Sequence, residues 1–108
     1  MEKIFELQAN ICKALSNPNR LEIINQLKEK ELSAAELMEK TGLNKSNLSQ
    51  CMGVLRVNGL ILSRREGVTV YYSIANIKIV QACTLMREVL LTEIEKKNEL
   101  AVSLKSGK

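Results

Sequence analysis

The chain has 108 residues, few aromatic side chains and a net charge of +4, and it contains neither histidine nor aspartate. This length predicts one domain. The absence of His and Asp excludes a Ser-His-Asp or Cys-His catalytic group, and no dinucleotide-binding, P-loop or nucleophile-elbow motif occurs, so we expect no enzyme and no cofactor. No apolar run reaches the ~20 residues of a membrane span or fits a signal peptide, which predicts a cytoplasmic chain without a membrane partner.

The basic residues are concentrated in the middle of the chain. Residues 1–39 have a net charge of −2 and residues 66–108 a net charge of +1, whereas residues 40–65 carry five Lys or Arg and no acid. A basic stretch between nearly neutral ones is typical of a phosphate-binding surface. An ordinary solvated charged face fits a run of five charges about equally well, so charge alone leaves both interpretations open.

Three helices are predicted before the centre of the chain. Residues 3–15 carry an apolar stripe with helical spacing. Asn17 and Pro18 predict the start of a second helix, because Asn accepts hydrogen bonds from free backbone N–H groups and Pro has no N–H to satisfy. The stretch Ser33-Ala-Ala-Glu36 is a capping box, which predicts a third, short helix through Lys40.

The rest of the chain predicts a fourth helix, a hairpin and a last helix. Gly42 ends the third helix and Asn44 caps the next one, which runs to about residue 58, so the two form a helix–turn–helix. LILSRR and VTVYYSI are rich in β-branched residues and are separated by Glu66-Gly67, which predicts a β-hairpin. Residues 76–97 return to helical spacing. The predicted order α-α-α-α-β-β-α is a winged helix–turn–helix, mainly α with a β-hairpin wing.

The fourth predicted helix has an unusual outer face. Leu48, Met52 and Leu55 cluster on one side and are expected to face the core. The other side carries small hydrogen-bonding residues, namely Ser46, Asn47, Ser49 and Gln50. Because Ser and Asn are weaker helix formers than Ala, something should offset their cost. Donors and acceptors on these side chains match base edges in the major groove, and an idle polar face is the alternative.

We therefore predict a sequence-specific regulator that binds double-stranded DNA. The predicted DNA-binding residues are Asn44, Lys45, Ser46, Asn47, Ser49, Gln50, Arg64 and Arg65. Lys45 lies where free N–H groups also bind phosphate, and Arg64 and Arg65 precede the hairpin turn, where they can reach phosphates or the minor groove. Arg20 is a weaker phosphate candidate or an ordinary surface arginine. The alternative function is a winged-helix module that binds a partner protein through the same face, without DNA.

Three segments resemble the ArsR/SmtB family of winged-helix repressors: ALSNPNRLEIINQL, NKSNLSQCMGVLRVNGLI and REGVTVYYSI, in this order over about residues 10–90. The resemblance implies a homodimer formed by the first and last helices, which represses a promoter until an effector lowers its affinity for DNA. We assign residues 1–97 to this DNA-binding and dimerisation domain and expect residues 98–108 to be a disordered tail. The sequence does not identify the effector.

The resemblance does not extend to the metal sites of that family. Its arsenic and lead sensors have a Cys-x-Cys pair where this chain has Ser33 and Ala35. Its zinc sensors use Asp and His on the last helix, and the matching positions here are Asn76, Lys78, Val89 and Thr92. We therefore expect no metal site of either kind. Cys51 stands where the family usually has His, and Gly53 where it often has Lys.

The three cysteines, Cys12, Cys51 and Cys83, are widely spaced and odd in number, which argues against a disulfide framework. Each lies on or beside an apolar helical stripe, so packing accounts for each of them. The alternative is that they are sensor thiols. Two of them would meet across helices or subunits and respond to an oxidant, a persulfide or a soft metalloid, or modification of Cys51 would tilt the fourth helix.

Overall fold

The computed structural model describes residues 2–105, without the side chain of residue 101. Its elements in chain order are α1 (Glu2–Leu15), α2 (Pro18–Gln26), β1 (Leu32–Ser33), α3 (Ala34–Thr41), α4 (Lys45–Val57), β2 (Ile61–Glu66), β3 (Thr69–Ile74) and α5 (Ile77–Lys105). This order confirms the predicted fold class, a mainly helical chain with a hairpin wing. It adds one short strand, β1, that the sequence analysis did not predict.

Local hydrogen bonds at the helix ends explain where the helices begin and stop. The Asn17 side chain accepts from two backbone N–H groups at the start of α2, with Pro18 in the first helical position. Ser33 and Glu36 form both hydrogen bonds of the predicted capping box. Gly42 follows α3 with a φ of 76°, a left-handed conformation that glycine adopts without steric cost. The predicted caps are therefore confirmed.

The three strands form one antiparallel sheet in the order β1-β3-β2. Glu66 pairs with Thr69, so the turn residues are Gly67 and Val68. The predicted turn, Glu66-Gly67, was wrong by one residue. Gly67 has a φ of 62° and occupies the first turn position, where a common two-residue hairpin turn requires positive φ. The two-residue β1 is too short to show a strand period, which is why the sequence did not indicate it.

The core lies between α2, α3, α4 and the base of the wing. The largest side chains with almost no exposure come from these elements, from β1 and from the residue before β2, namely Ile23, Ile24, Leu32, Leu37, Leu55, Leu60 and Ile61. Leu48, Met52 and Leu55 all face this core, which confirms the predicted inner side of α4. Because one side of α4 is fully used in packing, its other side is held outward.

The last helix is longer than the sequence analysis predicted. Residues 98–105, expected to be part of a disordered tail, continue α5 to Lys105, and residues 106–108 lie outside the described residues. Most residues of this segment are Glu, Lys, Leu or Ala, which are strong helix formers. The helix therefore continues here although the segment does not pack against the core. None of the helices in residues 2–105 is long and apolar enough to cross a bilayer.

Candidate nucleic-acid interface

The outer side of α4 presents a continuous row of exposed polar side chains. Ser46, Asn47, Ser49 and Gln50 are all exposed, while Leu48 between them is buried. Lys45, Ser46, Ser49 and Gln50 border one shallow depression on this surface. The structure therefore brings together the α4 residues that the sequence analysis assigned to DNA, on a face that no other part of residues 2–105 covers.

The first turn of α4 is fixed by its cap. Asn44 accepts a hydrogen bond at 2.8 Å from the backbone N–H of Asn47, and its backbone is extended. Its Oδ1 atom is thus used within the protein, and its amide N–H₂ group, which has no partner in the part of the chain that the structure describes, remains for an external one. Lys45 follows as an exposed cation in the first turn, beside free N–H groups. This end of α4 suits an anion such as a phosphate.

The two arginines of the wing lie on opposite faces of the hairpin. Side chains alternate along β2, so Arg65 shares a face with Ile61, whose side chain is buried in the core. Arg64 lies on the other face, opposite Tyr71. Among the described residues, the Arg65 side chain takes part in no ion pair or hydrogen bond. Its charge is available on the side of the wing that faces the helices.

Arg64 is held by two carboxylates. Its Nε and Nη2 atoms donate to the two oxygens of Glu31 at 2.8 and 2.7 Å, and Nη1 donates to Glu66 at 2.7 Å. The guanidinium carbon also lies 4.4 Å from the centre of the Tyr71 ring, a cation–π contact. The hydrogen bond from Arg64 lowers the pKa of Glu31, and the two carboxylates raise the pKa of Arg64. Three charges in this cluster sum to −1, so it attracts phosphate poorly.

Glu31 is the residue of this region that the sequence analysis missed. It lies in the α2–β1 connection, 33 positions before Arg64, and pattern reasoning over local windows cannot pair residues so far apart. The only available signal was that the KEKE connection carries two Glu, which can pair with the arginines of the SRR of β2. The bidentate Glu31–Arg64 pair joins the wing to the body of the fold in a fixed geometry.

Arg20, the weaker phosphate candidate, is engaged elsewhere. Its Nε atom donates to the carbonyl of Ala14 at 2.5 Å, and Nη2 donates to that of Lys13 at 3.4 Å. These carbonyls belong to the last turn of α1, which lacks partners within the helix. The Arg20 side chain therefore caps the end of α1, a structural role.

The three cysteines have different environments. Cys12 is exposed on α1, whereas Cys51 is 8% exposed on the inner side of α4 and Cys83 is 4% exposed on α5. Burial raises the pKa of the Cys83 thiol, which borders a groove of about 290 Å³ between α2 and α5. All three are free thiols. Within residues 2–105, no cluster of three or more cysteine or acidic side chains is arranged to hold a metal ion.

Large apolar side chains are exposed on the first and last helices. α1 exposes Ile4, Phe5 and Leu7. The middle of α5 exposes Leu85, Met86, Val89, Leu90, Leu91 and Ile94. Apolar patches of this kind are typical of surfaces that another molecule covers.

Comparison with known proteins gives consistent matches. Residues 17–63 match the family model described as "Bacterial regulatory protein, arsR family". The chain is 36% identical over 107 residues to the HTH-type transcriptional regulator Rv0081 of Mycobacterium tuberculosis, covering 98% of this chain and 94% of that protein. It is 34% identical over 93 residues to the biofilm growth-associated repressor of Xylella fastidiosa, covering 86% and 82% of the two chains.

Solved structures agree with the sequence matches. The crystal structure of M. tuberculosis Rv0081 has a TM-score of 0.78 and 37% identity, over 87% of this chain and 95% of that chain. The solution structure of a winged helix–turn–helix fragment of Mb0332 from Mycobacterium bovis, described as homodimeric, has a TM-score of 0.79 and 29% identity, over 88% of each chain.

Proposed function

This chain belongs to the ArsR family of bacterial regulatory proteins, and from that premise we propose that it is a sequence-specific, DNA-binding transcriptional repressor that acts as a homodimer in the cytoplasm. The observation that carries the proposal is the outer side of α4. The exposed residues there are Ser46, Asn47, Ser49 and Gln50, in the first half of the second helix of a helix–turn–helix. They lie within residues 40–65, which contain no acidic residue.

In the proposed complex, α4 lies in the major groove. Asn47 and Gln50 pair with base edges, an interaction that each side chain makes best with adenine through two hydrogen bonds. Lys45 and the amide of Asn44 contact phosphate at the start of α4. Arg65 supplies the corresponding cation from the wing, since its side chain has no partner among the described residues. Residues 1–97 provide both the DNA-binding and the dimerisation surface.

We propose that the two copies pair through α1 and α5. The support is the apolar surface on these helices, with Phe5 59% and Val89 65% exposed. A chain of 108 residues buries a limited core, so a dimer interface adds needed burial of apolar surface. Sedimentation at several concentrations tests the dimer. Phe5→Glu and Val89→Glu are expected to give monomers, whereas Leu62→Glu, which changes a similarly exposed residue on β2, leaves the dimer intact.

The function is tested by selecting bound fragments from genomic DNA and measuring affinity for the selected duplex. We expect inverted repeats with half-sites about one helical turn apart, because a symmetric dimer presents two copies of α4. Asn47→Ala and Gln50→Ala are each expected to reduce the difference in binding free energy between the preferred and a changed base pair by about 1–3 kcal/mol. Asn98→Ala on α5 is the matched control and is expected to leave this difference unchanged. Failure to shift any duplex at sub-micromolar protein, with salt-independent behaviour, supports the protein-interaction module instead.

For release from DNA, we propose that the effector acts through Cys51. This thiol lies on the core-facing side of α4, one turn after Asn47, so atoms added to its sulfur push α4 away from the core. Affinity is measured before and after treatment with peroxide, a sulfide-derived persulfide or arsenite. Cys51→Ser abolishes the response, while Cys12→Ser and Cys83→Ser keep it. A response that persists when all three are serine rules out thiol sensing.

A further inference from the structure

Gly53 occupies a position in α4 that nothing in the described residues 2–105 explains. The other glycines in residues 2–105, namely Gly42, Gly59 and Gly67, have positive φ angles, which account for them. Gly53 has an ordinary helical backbone in the middle of α4. Apart from its chain neighbours and the backbone of its own helical turns, a Cβ atom added there would meet no heavy atom of the described residues within 4 Å, so no neighbouring group requires the missing side chain.

Glycine is nevertheless costly at such a site. It loses the most backbone freedom of any residue when a helix forms, and only proline is less favourable in a helix interior. Alanine would therefore make α4 more stable without a clash. A residue that lowers stability and has no internal cause points to a contact outside the chain.

The position of Gly53 identifies that contact. It lies one turn beyond Gln50 on the outer side of α4, and the next turn brings Val57, which is 85% exposed. The apolar surfaces on α1 and α5 are on other helices. The body that approaches Gly53 is therefore expected to be the one that contacts Gln50.

We propose that the DNA duplex comes closest to the backbone of α4 at Gly53, so that the helix lies deeper in the major groove than any side chain there would allow. This inference rests on the proposed function. Val57 then lies against the groove wall and offers its methyl groups to a thymine methyl or a sugar. Gly53 is thus a positioning residue: it sets the depth at which Asn47 and Gln50 meet the base edges.

The test compares Gly53→Ala and Gly53→Leu with the wild type, using the duplex selected from genomic DNA and a scrambled duplex of the same composition. Gly53→Ala is expected to raise the melting temperature by about 4–8 °C, the shift for a helix-interior Gly→Ala change in a domain of this size. Its affinity for the selected duplex is expected to fall, and the affinity of Gly53→Leu is expected to fall further. The losses should lie within about 5- to 150-fold, the range for overpacking at a close contact.

The controls separate this inference from the proposed function. Asn98→Leu adds a similar side chain to the exposed C-terminal half of α5 and leaves affinity unchanged. The salt dependence stays that of the wild type in both Gly53 variants, because no charge is removed. Unchanged or tighter binding by Gly53→Ala overturns the inference alone, as does a lower melting temperature, which would reveal an internal role. A wild type that binds no duplex overturns the inference and the proposed function together.

Discussion

The two wing arginines are expected to respond differently to removal, although they are neighbours in sequence. Arg65→Ala takes away a cation without a partner among the described residues, on the face of the hairpin turned toward the helices. Arg64→Ala takes away a cation whose three donor nitrogens are already bound to Glu31 and Glu66. The expectation is that Arg65 contacts phosphate and that Arg64 orients the wing.

The magnitude follows from counterion release. Each phosphate neutralised by a cation contributes about 0.9 to the slope of log affinity against log salt concentration. With one wing per subunit, Arg65→Ala should flatten the slope by about 1.8 in a dimer. Arg64→Ala should change the slope by less than half as much, because its cluster with Glu31 and Glu66 already has a net charge of −1.

The assay is fluorescence anisotropy with the selected duplex between about 50 and 200 mM salt, the range in which such slopes are resolved. Lys97→Ala on α5 removes the same charge far along the last helix and controls for total charge. Glu31→Gln is expected to weaken binding even though it removes a negative charge, because the wing loses its attachment. Equal flattening by Arg64→Ala and Arg65→Ala, or tighter binding by Glu31→Gln, would refute this reasoning.

Three further predictions concern stability. Leu55→Ala removes a fully buried side chain and should cost about 2–5 kcal/mol in urea unfolding, whereas Leu62→Ala, on an exposed position, should cost little; equal losses would contradict the core described above. Asn44→Ala should cost about 1 kcal/mol and Asn44→Asp much less, and an Asp variant as unstable as Ala would argue against capping. Since Arg64 lowers the pKa of Glu31, the Glu31 carboxylate stabilises the fold above its unfolded pKa of about 4.5, and this is lost as pH falls through the lower folded value. The difference in melting temperature between wild type and Glu31→Gln should therefore shrink at acidic pH. A difference that grows as the pH falls would contradict the stabilising role of this carboxylate.

The turn of the wing shows how a small local error changes a tertiary contact. The sequence analysis placed the turn at Glu66-Gly67, which pairs Arg64 with Thr69. The structure places it one residue later, and in an antiparallel pair this shifts every cross-strand partner by two positions. Arg64 consequently lies opposite Tyr71, where the ring contact forms.

Sequence alone determined the features whose causes are local. The caps at Asn17, Ser33 and Asn44 join groups two or three residues apart, and the buried and exposed sides of α4 follow from helical spacing, so short windows contain the necessary information. Tertiary structure decided the pairing of Glu31 with Arg64, the place of β1 beside β3 and the availability of Arg65. Each of these depends on residues distant in sequence that become neighbours only when the helical core positions the wing, and no local pattern records that distance.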